Sequence, residues 1–352
     1  MSLGKPTLML SGTYTLDPVA DVIEYWIEYL DLDVSARVTP YAQLFQQLLD
    51  PGSALRRNQA GANAVLLRWA DLVPQRSESA AGSFAWSEVE PRVAELAAAL
   101  TSFSHELPCL VVVGPSDRED PVLKRASAEL QSRLAGTPSL FVECGEPAMA
   151  RYEVIQVHDP VSDRFGHVPF TSHAMTALGT TIARWYTALA RSPVKIVAVD
   201  GDHTLWSGVV AEDGVEGVHI GEPHLALQRK LVEQNDSGRL VCLLSKNEES
   251  DVRNLFERRS EMLLRWSHLV SHRVDWNPKP DNLKSIVSEL ELGMDSVVFL
   301  DDNPVECAQM RACCPVVTTV RVPTDLAQLA SFANHLWLFD QPKVTVEDRN
   351  RA

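Results

Sequence analysis

Short apolar runs alternate with longer stretches of helical period along the whole chain. The runs TLMLSG (7–12), VSARV (34–38), NAVLLRW (63–69), CLVVVG (109–114) and SLFVEC (139–144) are candidate strands. Between them stand DPVADVIEYWIEYLD, WSEVEPRVAELAAALTSF and EDPVLKRASAELQSRLAG, whose apolar residues recur every three or four positions, the spacing of one helix face. This alternation predicts an α/β architecture built on mostly parallel sheets. A long amphipathic stretch, TSHAMTALGTTIARWYTALARS, then leads to Pro193, and the pattern restarts, so the predicted domains are 1–192 and 193–352.

The second domain repeats the alternation with a difference at the strand ends. Val194 to Val199 runs into Asp200 and Asp202, LVCLLS (240–245) ends on Ser245, and SVVFLDDNP (296–304) ends on Asp301 and Asp302. HRVDWNPKP carries Lys279 between two prolines, directly before the expected helix DNLKSIVSELEL, and VVTTVRV (316–322) follows as a further strand. Asn247 or Ser245 is the expected cap of the helix NEESDVRNLFERR, and Asn303 that of a helix with Pro304 first. The segment GVVAEDGVEGVHI is predicted as a β-hairpin flap turning at Glu212, Asp213 and Gly214. Thr204 and Ser245 are 41 positions apart and Ser245 and Lys279 are 34 apart, too few for a folded cap domain.

Composition narrows the class. With 352 residues and 45% apolar content the chain can bury a sizeable core. Lys and Arg number 32 against 47 Asp and Glu, a net charge of −15, which argues against nucleic acid and anionic membrane as partners. No apolar run approaches the ~20 residues of a membrane span, and MSLGKPTLML lacks the charged and apolar sections of a signal peptide, so the expected location is cytoplasmic. The six cysteines form no CxxC and no Cys/His ladder, which argues against disulfides and zinc.

In parallel α/β sheets ligands collect at the carboxyl ends of the strands, so these polar strand ends are expected to converge on one crevice. Asp200 with Asp301 or Asp302, and Asp202 beside them, supply hard oxygen ligands suited to Mg²⁺. Asp200 is then the candidate nucleophile and Asp202, at the plus-two position, the general acid or base. Ser245 and Lys279 offer a hydrogen bond and a positive charge to phosphoryl oxygens. The flanking Thr204, His203, Trp206, Lys246 and Asn247 are candidate substrate contacts, with Trp206 packing the flap and bordering the entrance. The pattern points to phosphoryl transfer.

DGDHT (200–204), the strand-ending Ser245, Lys279 and LDDN (300–303) resemble the four motifs of the haloacid dehalogenase (HAD) superfamily of phosphatases. More narrowly, DGDHTLWSGVVAEDG, LLSKN, RVDWNPKPDNL and LGMDSVVFLDDNPVE look like the signature blocks of the FkbH-like family, HAD subfamily IIIC, and DRFGHVPFTSHAMTALGTTIARWYTAL resembles what precedes the first motif there. The likeness extends over nearly the whole chain. It implies a HAD-like Rossmannoid sheet without a large cap, preceded by an SGNH-like α/β domain. It also implies an enzyme that takes 1,3-bisphosphoglycerate, removes phosphate, and loads a glyceryl unit onto the phosphopantetheine arm of an acyl carrier protein for methoxymalonyl-type polyketide extender units.

Departures qualify that implication. The family pattern has a cysteine directly before Ser-Lys-Asn as acyl acceptor, where this chain has Leu244. Cys242, two residues earlier on the same strand, is expected to be an inert core residue. Three readings follow: acyl transfer directly to the pantetheine thiol, a phosphatase on another small phosphate without acyl transfer, or a non-catalytic carrier-binding module. His203 and Ser207 replace the family's usual Asn and Gly. The basic run Arg253, Arg258, Arg259 and Arg265 is either a face for an acidic carrier protein or a solvated helix surface. In the N-terminal domain Ser11 stands at a strand end, but His158, Asp159, Asp163 and His167 form no acid-x-x-His block, and the expected role is scaffolding or carrier binding rather than hydrolysis.

Overall fold

The computed structural model describes residues 5–73, 84–104, 107–116 and 120–341. The chain divides into two compact units, Met1–Tyr186 and Thr187–Ala352, each containing one five-stranded sheet.

The first unit runs β1 (Thr7–Gly12), α1 (Asp17–Tyr29), β2 (Ser35–Val38), α2 (Leu44–Leu49), α3 (Ala54–Arg57), β3 (Gly61–Leu67), α4 (Trp69–Leu72), α5 (Trp86–Phe103), β4 (Cys109–Val113), α6 (Pro121–Leu134), β5 (Leu140–Cys144), α7 (Gly145–Arg151) and α8 (Pro160–Gly166). Helix α9 (Ser172–Ala190) crosses the division at 186 and 187. All pairings in the sheet are parallel, in the order β2-β1-β3-β4-β5. Val65, Leu67, Val111 and Val113 pack with α5 and α6 on one face, while the alternate residues Leu66, Leu110 and Val112 are buried on the other, as a parallel sheet covered on both faces requires.

The second unit continues with β6 (Ile196–Val199), α10 (Val210–Gly217), α11 (Glu222–Asp236), β7 (Leu240–Ser245), α12 (Glu249–Arg258), β8 (Leu269–Val274), α13 (Lys279–Glu289), β9 (Val297–Asp301), α14 (Pro304–Cys313), β10 (Thr318–Arg321) and α15 (Leu326–Phe332). Its sheet is parallel in the order β10-β9-β6-β7-β8. Successive residues of β6, β7 and β9 alternate between two cores. Val197, Val199, Val241, Leu243, Val298 and Leu300 fill one, while Ile196, Ala198, Cys242, Leu244 and Phe299 meet Leu283, Ile286 and Met310 of α13 and α14 in the other.

Three local expectations are corrected. The segment 208–220 is not a β-hairpin: α10 forms there with Gly214 at φ 70°, and only Ser207 and His219 pair, in an antiparallel bridge closed by hydrogen bonds of 2.8 and 3.0 Å. Arg259 holds this flap, donating from Nη1 to the carbonyls of Val215 and Val218 at 2.8 Å each. The N-cap of α12 is Glu248 without a side-chain bond, because Asn247 turns back into the site. Helix α13 starts at Lys279 itself rather than after it, since Pro280 in the first turn has no N–H to satisfy and a φ already suited to helix. No helix among the described residues is long and apolar enough to cross a membrane.

Candidate active site

Strands β6 and β9 are neighbours at the middle of the sheet, with Val199 opposite Leu300, so the chain leaves both at the same level. The Asp200 N–H donates to the Leu300 carbonyl at 2.9 Å, which sets Asp200 beside Asp301. Lys279, first residue of α13 and 4% exposed, places Nζ 2.7 Å from Asp200 Oδ1 and 2.6 Å from Asp301 Oδ2. The loop that delivers it is pinned by Asp275, whose Oδ1 accepts from Asn277 N and Asn282 Nδ2 at 2.8 Å each. Partial burial opposes ionisation of Asp275, but those donors outweigh it and hold its carboxyl below the usual range.

Asp200, Asp301 and Asp302 form a group whose ligand oxygens lie within 4.8 Å of one another. One ammonium against three carboxylates leaves two negative charges uncompensated, which a single divalent cation would balance. Burial pushes Asp200 up to about 7, with Lys279 working against the shift and Asp301 adding to it. Burial likewise raises Asp301 and Asp302. For Lys279 burial alone would favour the neutral amine, yet the two carboxylates outweigh it and hold the ammonium above its ordinary value. This hard-oxygen, excess-anionic set fits a divalent metal.

Asp202, expected among the ligands, is not in that group. Its Oδ1 accepts from Trp206 Nε1 at 2.9 Å and Val210 N at 3.1 Å, and its Oδ2 from Asn247 Nδ2 at 2.7 Å. Asn247 Nδ2 also donates to Ser245 Oγ at 3.0 Å, so Asp202, Asn247 and Ser245 form one network. Asn247 Oδ1 is buried without a hydrogen-bond partner among the described residues, an acceptor held ready in the site. Lys246 does not join them; its Nζ pairs with Glu306 Oε1 at 2.6 Å. Thr204 is buried and donates to Asp302 Oδ1 at 3.4 Å. His203 is exposed, at φ 56°.

Trp206 does not border an entrance: it is 0% exposed and meets Phe256 edge-on. Its ring explains Gly201, where an added Cβ would lie 2.9 Å from Trp206 and 3.0 Å from Ser245 Oγ, so only glycine lets the Asp200–Asp202 turn close. Sequence reasoning missed Glu306, whose signal was an acid in the first turn of α14 that becomes buried; it grouped Arg259 in a basic run facing a carrier protein or solvent, whereas the side chain is largely covered and anchors the flap carbonyls.

No family model and no curated protein matches the chain. Among solved structures, the N-terminal part of BF1531 from Bacteroides fragilis, which contains a phosphatase domain and is complexed with Mg, is similar over 97% of this chain and 96% of that one, with a TM-score of 0.77 and 21% identity. A HAD family enzyme of Bacteroides thetaiotaomicron, BT-2542, in complex with magnesium and inorganic phosphate, matches 38% of this chain and 96% of its own at 11% identity, with a TM-score of 0.31 that carries no argument. The chain therefore has a two-sheet parallel α/β fold that matches the phosphatase-containing part of BF1531.

Proposed function

We propose that the C-terminal unit is a Mg²⁺-dependent phosphatase of the HAD type. The observation that carries the reading is Lys279 Nζ seated between Asp200 and Asp301 at the ends of adjacent parallel strands, with Asp302 in reach. Asp200, Asp301 and Asp302 would hold the ion, which when bound neutralises charge on the transferring phosphoryl group. Asp200 attacks phosphorus and becomes an aspartyl phosphate. Asp202, oriented by Trp206 and Asn247, gives a proton to the leaving alkoxide and takes one from the water that frees the phosphate. Ser245 accepts from Asn247, which leaves its own O–H to donate to a phosphoryl oxygen, and Lys279 adds positive charge there. The Mg-bound BF1531 structure is consistent with this cofactor.

The finer reading rests on the FkbH-like signature blocks. The substrate is 1,3-bisphosphoglycerate: its phosphate ester is hydrolysed as above, and its acyl phosphate is attacked by the pantetheine thiol of an acyl carrier protein, releasing phosphate and forming the glyceryl thioester for polyketide extender units. That transfer goes directly to the carrier. Leu244 is 0% exposed, and Cys242 beside it faces the same core, where burial pushes its thiol up to about 12. Access for a long arm is favoured by the segment from Thr204 to Ser245, which holds α10, α11 and β7 and no inserted domain.

The test is incubation of the protein with Mg²⁺, 1,3-bisphosphoglycerate and a holo carrier protein, with phosphate assayed and the carrier weighed. Hydrolysis of the phosphate ester that persists in Asp200→Asn, read on the three-carbon product by mass spectrometry, overturns the phosphatase assignment. Release without a glyceryl mass on the carrier, or loading that is lost in Cys242→Ala, overturns direct transfer. Neither release nor loading leaves the carrier-binding module.

A further inference from the structure

Lys246 and Glu306 belong to neither the carboxylate group nor the Asp202 network, yet they meet across them. Lys246 follows the last residue of β7, and Glu306 lies in the first turn of α14, the helix after β9. In the sheet β7 and β9 are the two neighbours of β6, the strand that Asp200 follows. The contact of Lys246 Nζ with Glu306 Oε1, at 2.6 Å, therefore spans two strand spacings, ~10 Å, across the carboxyl end of β6. It lies on the side of α13 and α14, toward which Leu244, two residues before Lys246, already points. Lys279 arrives from that same side, as the first residue of α13.

The pair is oriented. The Glu306 side chain is 10% exposed and that of Lys246 36%, so the negative end is inside and the ammonium faces out. Glu306 Oε2 is buried without a hydrogen-bond partner among the described residues, so this carboxylate depends on the ammonium from which Oε1 accepts. An ammonium has three donors, and Glu306 takes one of them. Burial raises Asp301, and the Glu306 charge adds to the rise, so the pair stands within electrostatic reach of the metal-binding carboxylates.

We propose that Lys246 is a specificity-determining residue of the phosphatase site: held by Glu306 across the end of β6, it binds a second anionic group, carboxylate or phosphate, on the part of the substrate that is not transferred. The inference rests on the phosphatase reading above and adds the substrate class, small phosphomonoesters that carry another anion. Charge selects that class. Lys279 and one divalent cation balance Asp200, Asp301 and Asp302, so a further anion must find its partner at the rim, where Lys246 has two donors to give. Two other groups near the rim are engaged elsewhere. Arg321, at the end of β10, is two strands from β6 and donates from Nε to the Asp302 carbonyl at 3.1 Å. His203 is tied to the flap, its Nδ1 accepting from Gly208 N at 3.4 Å. Distance suits a small substrate, since β7 and β6 are one strand spacing apart, ~5 Å, which a three-carbon frame bridges between its end groups.

The probes are 3-phosphoglycerate and glycerol 3-phosphate, which share a three-carbon frame and a phosphate ester and differ by one carboxylate, with the full-length protein and Mg²⁺. The expected result is a kcat/KM about tenfold to a hundredfold higher for 3-phosphoglycerate, the range of one charged hydrogen bond, carried by KM. Lys246→Met removes that preference, and Lys246→Arg keeps most of it. Because Lys246→Met strands the buried Glu306, the double variant with Glu306→Gln is measured beside it, its fold checked by circular dichroism, and shows the same loss. Equal kcat/KM for the two esters in the wild type overturns the proposal. A preference that survives in both variants, or that falls in Arg321→Gln instead, overturns it too. Hydrolysis of neither ester counts against the phosphatase reading alone; the subsite is then read by calorimetry with Mg²⁺, where a preference in affinity for 3-phosphoglycerate that Lys246→Met leaves unchanged overturns the proposal.

Discussion

Replacement of Lys279 by Met separates an electrostatic account of the site from a packing account. Met fills a similar volume but leaves Asp200 and Asp301, at 8% and 0% side-chain exposure, without the ammonium now 2.7 and 2.6 Å away. Removing one partner of a buried ion pair costs about 3–5 kcal/mol, chiefly because the remaining charge is stranded. Here the stranded charges have an escape through protonation. Burial already raises Asp200 to about 7 in the folded protein, above the ~3.9 of an unfolded aspartate, so between those values the native state holds more protons and metal-free stability falls as pH rises. Lys279 opposes that rise, so its loss moves the carboxyl higher still and extends the fall to higher pH. Urea denaturation in the presence of a chelator should therefore show a loss of about 3–5 kcal/mol at pH 8 and a clearly smaller loss at pH 5. A loss under about 1 kcal/mol at pH 8, or one independent of pH, would refute the reasoning.

Three further outcomes are expected. Mg²⁺ should raise the thermal midpoint of the wild type more at pH 8 than at pH 6, because the ion must displace protons from carboxyls that burial has raised; calorimetry at the two pH values checks this, with proton release as a second signal. Arg259→Ala should free the flap by removing two 2.8 Å bonds, seen as faster amide exchange at 207–219 and a fall in phosphate release of up to about tenfold, at a stability cost of about 1–3 kcal/mol in urea denaturation. Gly201→Ala should lower kcat by about a hundredfold with Mg²⁺ binding, read by calorimetry, little changed, since its Cβ presses on Trp206 and Ser245 rather than on the carboxylates.

Strand and helix order was legible along the chain because period and turn chemistry are local. β7 coincides with LVCLLS, and Asn303 caps α14 with Pro304 first, both readable from a few residues. The segment 208–220 was not, because its alternation of Val and polar residues suits either a hairpin or a helix, and among its tertiary partners is Arg259, some forty residues on. The SKN block shows the same limit: adjacency in sequence grouped Lys246 with Asn247, but the fold gives one to Glu306 and the other to Asp202.

By itself the sequence determined the class of the molecule and the chemistry of its strand ends: alternating β and α segments, and carboxylates after Val199 and Leu300. Tertiary structure decided which of those groups meet. Register between β6 and β9 put Asp200 beside Asp301, and the start of α13 dropped Lys279 between them. In the N-terminal unit no pattern joined Asp71 to His167, 96 positions away, yet the helix after β3 and the C-cap of α8 bring them to 3.0 Å. The physical reason is the same in both places: a parallel sheet gathers the carboxyl ends of segments far apart in sequence, and side-chain partners are chosen there by register and burial, which no local window contains.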